Sequence, residues 1–256
     1  MNKKFNLFFI IISLLLIIIG TFFDYQISSY LFDKNNLFSI VFSSYGMFPA
    51  LFFISLSGLL LTKNNKLIIK IVGYLLIILG ITLGIYNSLE YGLDNIYISI
   101  IINVVIYILG IYTVYNNYLK EKNDLKLVYF IIIYVLAQII LINLIKIIWN
   151  RPRMILLVND YNYKFVPWYI INKLAIKGSD LFKSFPSAHV SNATCSLILL
   201  AINPKKRNYI LVFLFIIFTG LSRIIIGAHF LSDVGFGMLI SFVLYLLFYE
   251  LFVKNK

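Results

Sequence analysis

Eight stretches of mostly apolar residues run through the chain, at 5–23, 42–62, 67–86, 96–115, 127–145, 187–202, 209–226 and 233–252. A bilayer core about 30 Å thick is crossed by about 20 residues of helix, and most of these runs have that length. Peptide groups in hydrocarbon must be satisfied within their own segment, so such runs fold as helices. Composition agrees, with 61% of residues hydrophobic, 12% charged and a mean hydropathy of +0.94. A soluble domain is about 45–50% apolar and about 25% charged. A soluble enzyme, a disulfide scaffold and a disordered chain are therefore excluded. Cys195 is the one cysteine, which rules out an internal disulfide.

The first run follows Asn2-Lys3-Lys4 and has the look of a signal peptide. Its apolar stretch is long, however, and Asp24-Tyr25-Gln26 follows it in place of a small-residue cleavage site, so an uncleaved first span is expected. The 187–202 run is short and carries polar residues, and is expected to face other helices rather than lipid. Net charge is +12. Lys and Arg collect in cytoplasmic loops, which accounts for the excess without nucleic acid as a partner. With the N-terminus inside, the inner segments 1–4, 63–66, 116–126, 203–208 and 253–256, together with Lys70, hold thirteen of the 22 basic residues. Among them are Lys120, Lys122 and Lys256, against Glu121, Asp124 and Glu250 as acids. The chain reads as an all-α polytopic bundle of about eight spans, a six-helix core plus an N-terminal pair, with both termini inside. It is taken as one membrane domain over 1–256, with N-terminal helices in 1–126 and the polar site carried by helices in 127–252.

The longest loop, 146–186, falls on the outer side, is punctuated by Pro152, Pro167, Gly178 and Pro186, and carries Trp149 and Trp168. Charged residues at helix ends within the membrane are costly and mark function. Three clusters meet at this face: Lys146 with Arg151-Pro152-Arg153; Ser184-Phe185-Pro186-Ser187-Ala188-His189; and Ser222-Arg223 through Gly227, His229 and Asp233. They contain both histidines of the chain. Lys146, Arg151, Arg153 and Arg223 offer converging cations, and guanidinium forks match phosphate oxygens. Ser187 opens a helix, where free N–H groups favour an anion. His229 and Asp233 are spaced so that one helical turn brings carboxylate to imidazole, leaving the other ring nitrogen as nucleophile or base. His189, from another helix, then serves as acid for the leaving oxygen. So many cations repel a divalent ion, so no metal is expected and the substrate is an anion.

At these residues the chain resembles the type 2 phosphatidic acid phosphatase superfamily, whose active site is shared with vanadium haloperoxidases. That family carries Lys, six residues and Arg-Pro; then Pro-Ser-Gly-His; then Ser-Arg, five residues, His, three residues and Asp. The third motif is complete as Ser222, Arg223, His229 and Asp233; the second is Pro186-Ser187-Ala188-His189, with Ala for Gly. The first keeps its spacing as Lys146 and Arg153, with Met154 in place of Pro and Arg151 as an auxiliary. The resemblance implies that His229 attacks phosphorus to give a phosphohistidine, Asp233 orients it, and His189 is acid and then base. It implies that Lys146, Arg153, Ser187, Arg223 and the Ala188 N–H hold the phosphoryl oxygens, with no cofactor. Ala188 suits that role only at negative φ. The expected substrate is a membrane lipid phosphate or diphosphate, met at the outer face of a bacterial cytoplasmic membrane. Phosphotransfer through the same site, and non-catalytic binding or transport of an anionic lipid, are the alternatives.

Overall fold

The computed structural model describes residues 2–91, 96–116, 125–160, 162–173 and 179–254. Lys120, Glu121, Lys122, Asp124, Gly178 and Lys256, used above for topology and loop punctuation, lie outside the described residues. The described residues are helical with no strand. In chain order the helices are α1 (Lys3–Leu31), α2 (Leu37–Tyr45), α3 (Phe48–Leu61), α4 (Leu67–Tyr91), α5 (Ile96–Val114), α6 (Leu125–Trp149), α7 (Met154–Asn159), α8 (Ala188–Thr194), α9 (Ile198–Ile202), α10 (Lys206–Ile225) and α11 (Leu231–Tyr249).

Local chemistry sets many of the ends. Asn2 accepts the Lys4 N–H and starts α1, and Asn36 accepts the Ser39 N–H and starts α2; such side chains satisfy amides that a helix start leaves open. Pro49, in the first turn of α3, lacks an N–H that would have no partner there. Among the described residues seven helical stretches are long and apolar enough to cross a membrane, with α2 and α3 counted as one. The 187–202 run forms a further, shorter stretch, Ala188–Ile202, in which a 3₁₀ turn at Cys195–Leu197 separates α8 from α9. It nonetheless joins the two ends of the bundle. Phe5 packs edge-on against Tyr209, at the start of α10, whereas Ser187 donates its N–H to the Asp233 carbonyl at the start of α11. As expected, this stretch is lined by other helices, with residues 188–195 all buried except Ala188.

α1 lies along α11, while α8 packs against α3, α6, α10 and α11. The first helix thus belongs to the same core as the last. The pair that flanks that core is α4 and α5, with α4 on α2 and α3, and α5 on α4; this corrects the expected N-terminal pair. The cause is a close approach: a Cβ on Gly20 would lie 2.5 Å from the Ser232 nitrogen, so only glycine lets α1 settle on α11. Outward-facing residues of α1, α4, α5 and α6, such as Ile18, Leu75, Ile101 and Ile140, are exposed apolar side chains suited to lipid. The site residues stand where α6 and α10 end and α8 and α11 begin.

Candidate active site

Lys146 occupies the last turn of α6, and its Nζ donates to the Lys183 carbonyl at 2.5 Å. The helix stops at Trp149 because Asn150 turns left-handed at φ +47°, a conformation that Asn tolerates. This reversal sends Arg151 inward, where it is fully buried. Its Nε donates to the Val166 carbonyl at 2.8 Å and its Nη1 to Ser232 Oγ at 2.9 Å and Asp233 Oδ1 at 2.5 Å. Nη2 donates to Asp24 Oδ2 at 2.8 Å, and the guanidinium lies 4.4 Å from the Phe230 ring centroid. Arg153 then caps α7, and its N–H donates to the Leu181 carbonyl. Met154 is the first residue of that helix, a position that suits proline. Methionine holds the same helix entry and packs its side chain with Leu157 and Phe230.

Ser187 is the N-cap of α8, accepting the Val190 N–H at 3.4 Å. Ala188 begins the helix at negative φ, since Asn150 is the one non-glycine residue at positive φ among those described. A side chain is therefore tolerated where the family has glycine. His189 follows, with its ring buried.

His229 sits in the turn between α10 and α11 rather than on a helix. Gly227 at φ +71° makes the turn, and a Cβ there would lie 2.5 Å from the Phe32 ring. The Ala228 and His229 N–H groups both donate to the Arg223 carbonyl. Asp233 lies in the first turn of α11, where its Oδ2 accepts the Phe230 N–H at 2.8 Å and the Ser184 hydroxyl at 2.5 Å. The expected helical-turn contact between His229 and Asp233 is thus replaced by a looser one, with Nδ1 3.8 Å from Oδ2. The direct partner of Nδ1 is the Ser184 carbonyl, at 2.5 Å. A carbonyl can only accept, so Nδ1 carries the proton and Nε2 keeps its lone pair. Burial drives the His229 pKa down to about 3; the Asp233 carboxylate opposes this shift, and Lys146, Arg153 and Arg223 add to it. At neutral pH the ring is uncharged.

Residues 126–256 match the model of the PAP2 superfamily. The chain belongs to the PAP2 superfamily. It matches no curated protein and no solved structure. Members of this superfamily are generally phosphatase-like, and the long apolar helices are those of an integral membrane protein.

Within this PAP2 fold Lys146, Arg153, Ala188, His189 and His229 line one cavity of about 290 Å3. Ser187, Arg223 and Asp233 are buried and are not among the residues that line it. Ser222, also buried, donates its hydroxyl back to the Thr219 carbonyl within α10. Asp180 and Lys183, paired at 2.8 Å, stand at the cavity's edge; the hydrogen bond from Lys183 holds the Asp180 carboxyl below its usual range. Among the described residues no group of three or more His, Cys, Asp or Glu is placed to hold a metal ion. No motif singles out Ser184, which touches His229 and Asp233 at once, or Asp24, which lies outside the matched residues. A signal for Asp24 exists: Ser13, Ile17, Gly20, Asp24 and Ser28 recur at helical spacing and form the buried stripe of α1.

Proposed function

We propose that this chain hydrolyses a lipid phosphomonoester or diphosphate without a metal, through a phosphohistidine on His229. The observation that carries the reading is the hydrogen bond from His229 Nδ1 to the Ser184 carbonyl. It leaves Nε2 as a lone-pair nucleophile in a cavity that also presents Lys146, Arg153 and His189. His229 Nε2 attacks phosphorus and forms an N–P bond as the bond to the leaving oxygen breaks. His189 gives that oxygen its proton. The negative charge of an arriving phosphate favours the protonated His189 that this step needs. Lys146, Arg153, Arg223, Ser187 and the Ala188 N–H hold the phosphoryl oxygens, where developing charge is stabilised by fixed groups. His189, now a base, takes a proton from water; the hydroxide attacks phosphorus, the N–P bond breaks, and phosphate leaves with His229 restored.

A cavity at the end of a lipid-facing bundle suits a substrate whose tail stays in the bilayer. The opposite end carries Lys3, Lys4, Lys205, Lys206, Arg207 and Lys254, which supports an outward-facing site. The test is phosphate release by purified protein from phosphatidic acid, phosphatidylglycerophosphate and undecaprenyl diphosphate in excess EDTA. Activity is expected to survive EDTA and to fall by about 10³-fold or more in His229→Ala. Loss with EDTA and recovery with a divalent ion would overturn the metal-free reading; undiminished release by His229→Ala would overturn the nucleophile. Adding a lipid alcohol acceptor separates hydrolysis from transfer.

A further inference from the structure

α1 lies outside the residues matched to the family, yet it carries a carboxylate to the back of the site. Asp24 is 2% exposed, and Arg151 and Asp233 are fully buried. Asp24 Oδ1 accepts the Ser232 N–H at 2.9 Å; Oδ2 accepts the Ser232 hydroxyl and, at 2.8 Å, Arg151 Nη2. Arg151 Nη1 continues to Asp233 Oδ1. Asp233 Oδ2 accepts the Ser184 hydroxyl, and the Ser184 carbonyl accepts His229 Nδ1–H. The Ser184 N–H donates to the Arg151 carbonyl at 3.0 Å. An unbroken line of hydrogen bonds therefore runs from Asp24 to the ring of His229.

Helix packing alone does not call for this line. α1 and α11 already meet through the stacked rings of Phe9 and Phe242 and the close approach at Gly20, whereas burying three charges carries a desolvation cost that apolar contacts avoid. The charges matter through their sum. Arg151 paired with Asp233 alone would cancel the carboxylate that stands behind His229. With Asp24 on the same guanidinium, two carboxylates share one cation and the cluster is net negative. His229 gains positive charge as it binds phosphorus, and a net negative cluster behind the ring favours that change.

We propose that Asp24 is a positioning residue for phosphoryl transfer: through Arg151 it fixes Asp233 and Ser184, and so the His229 ring, and it keeps the cluster behind that ring net negative. The inference rests on the phosphohistidine reading above. In full-length protein, Asp24→Asn is expected to lower kcat by about 10²-fold, as a small misplacement of a reacting group does. KM and the inhibition constant for inorganic phosphate are expected to change by less than about threefold, because the phosphate-holding cations are untouched. Asp24→Glu, which restores the charge, is expected to recover part of the loss. Should Asp24→Asn not fold, Ser232→Ala serves: it removes one hydroxyl from the line, leaves all three charges, and is expected to lower kcat less than Asp24→Asn but in the same sense.

A folded Asp24→Asn with unchanged kcat overturns the proposal, as does a Ser232→Ala protein that loses only thermal stability. Measuring His229→Ala alongside keeps the two readings apart. If His229→Ala is inactive and Asp24→Asn is fully active, only the role of Asp24 falls. If His229→Ala is active, the nucleophile falls, and the role of Asp24 is then read from ¹⁵N-histidine NMR. There Asp24→Asn is expected to move the His229 ring signals, and unmoved signals overturn the line from Asp24 to the ring.

Discussion

His229 is held by a contact that fixes its tautomer, and this has consequences that can be measured. The Ser184 carbonyl accepts from Nδ1, so the neutral form present at pH 7 should be the Nδ1–H tautomer. The chain has two histidines, so ¹⁵N-histidine labelling gives two ring systems to follow. His229 is expected to show a bare Nε2 and to stay neutral as pH falls from 8 to 5, since burial drives its pKa down to about 3. An Nε2–H tautomer, or titration near the ordinary 6.5, would contradict the geometry. The same shift ties stability to pH. The folded pKa lies below the unfolded one, so between them the unfolded chain binds the extra proton. The contribution is intact above about 6.5 and is lost as pH falls towards 3. Thermal stability in detergent should decline over that window, and His229→Gln should flatten the decline.

At the scale of elements, the site depends on how closely α1 approaches α11. Gly20 faces the Ser232 backbone, and Ser232 holds Asp24. Gly20→Val should therefore push the helices apart, with an overpacking cost of about 1–3 kcal/mol, and should lower both the melting temperature and kcat. Ile19→Ala, on the exposed face of the same helix, is the comparison and should leave kcat unchanged; equal effects would show that the α1–α11 seam has no special weight. Much of this architecture was legible in the sequence. The apolar runs marked the spans, and the order and spacing of Lys146, Arg153, Ser187, His189, Arg223, His229 and Asp233 marked the face where helix ends converge. The i, i+4 spacing of His229 and Asp233 does bring ring and carboxylate within 3.8 Å, but through a turn rather than a helix, because Gly227 breaks the helix before His229. Asp24 was legible as a member of a polar stripe. Its partner was not, because local periodicity says which face of a helix is buried and not which distant helix covers it.

At the scale of the whole molecule, the two ends of the bundle differ in chemistry. At one end, around the cavity, cations are offset by acids: Lys183 pairs with Asp180, and Arg151 lies between Asp24 and Asp233. The other presents Lys3, Lys4, Lys66, Lys205, Lys206 and Arg207, each exposed. A translocating loop rich in Lys and Arg is retained on the cytoplasmic side, so the cationic end should lie inside and the cavity outside. On the proposed function, this decides which leaflet supplies the lipid substrate. Cys195, buried and donating to Gln138 Oε1, is replaced by Ser to give a thiol-free background that keeps a donor there. Single cysteines are then placed at Lys164 and Lys173, exposed in the long loop, and at Lys66 and Lys205, exposed at the other end. A membrane-impermeant maleimide applied to intact cells should label the first pair, and the second pair should react only after permeabilisation. The mirror-image pattern would place the cavity in the cytoplasm and the substrate in the inner leaflet, with the chemistry of the site unchanged. Labelling of all four positions in intact cells would put both ends on the same side, against the end-to-end course of the long apolar helices that join them.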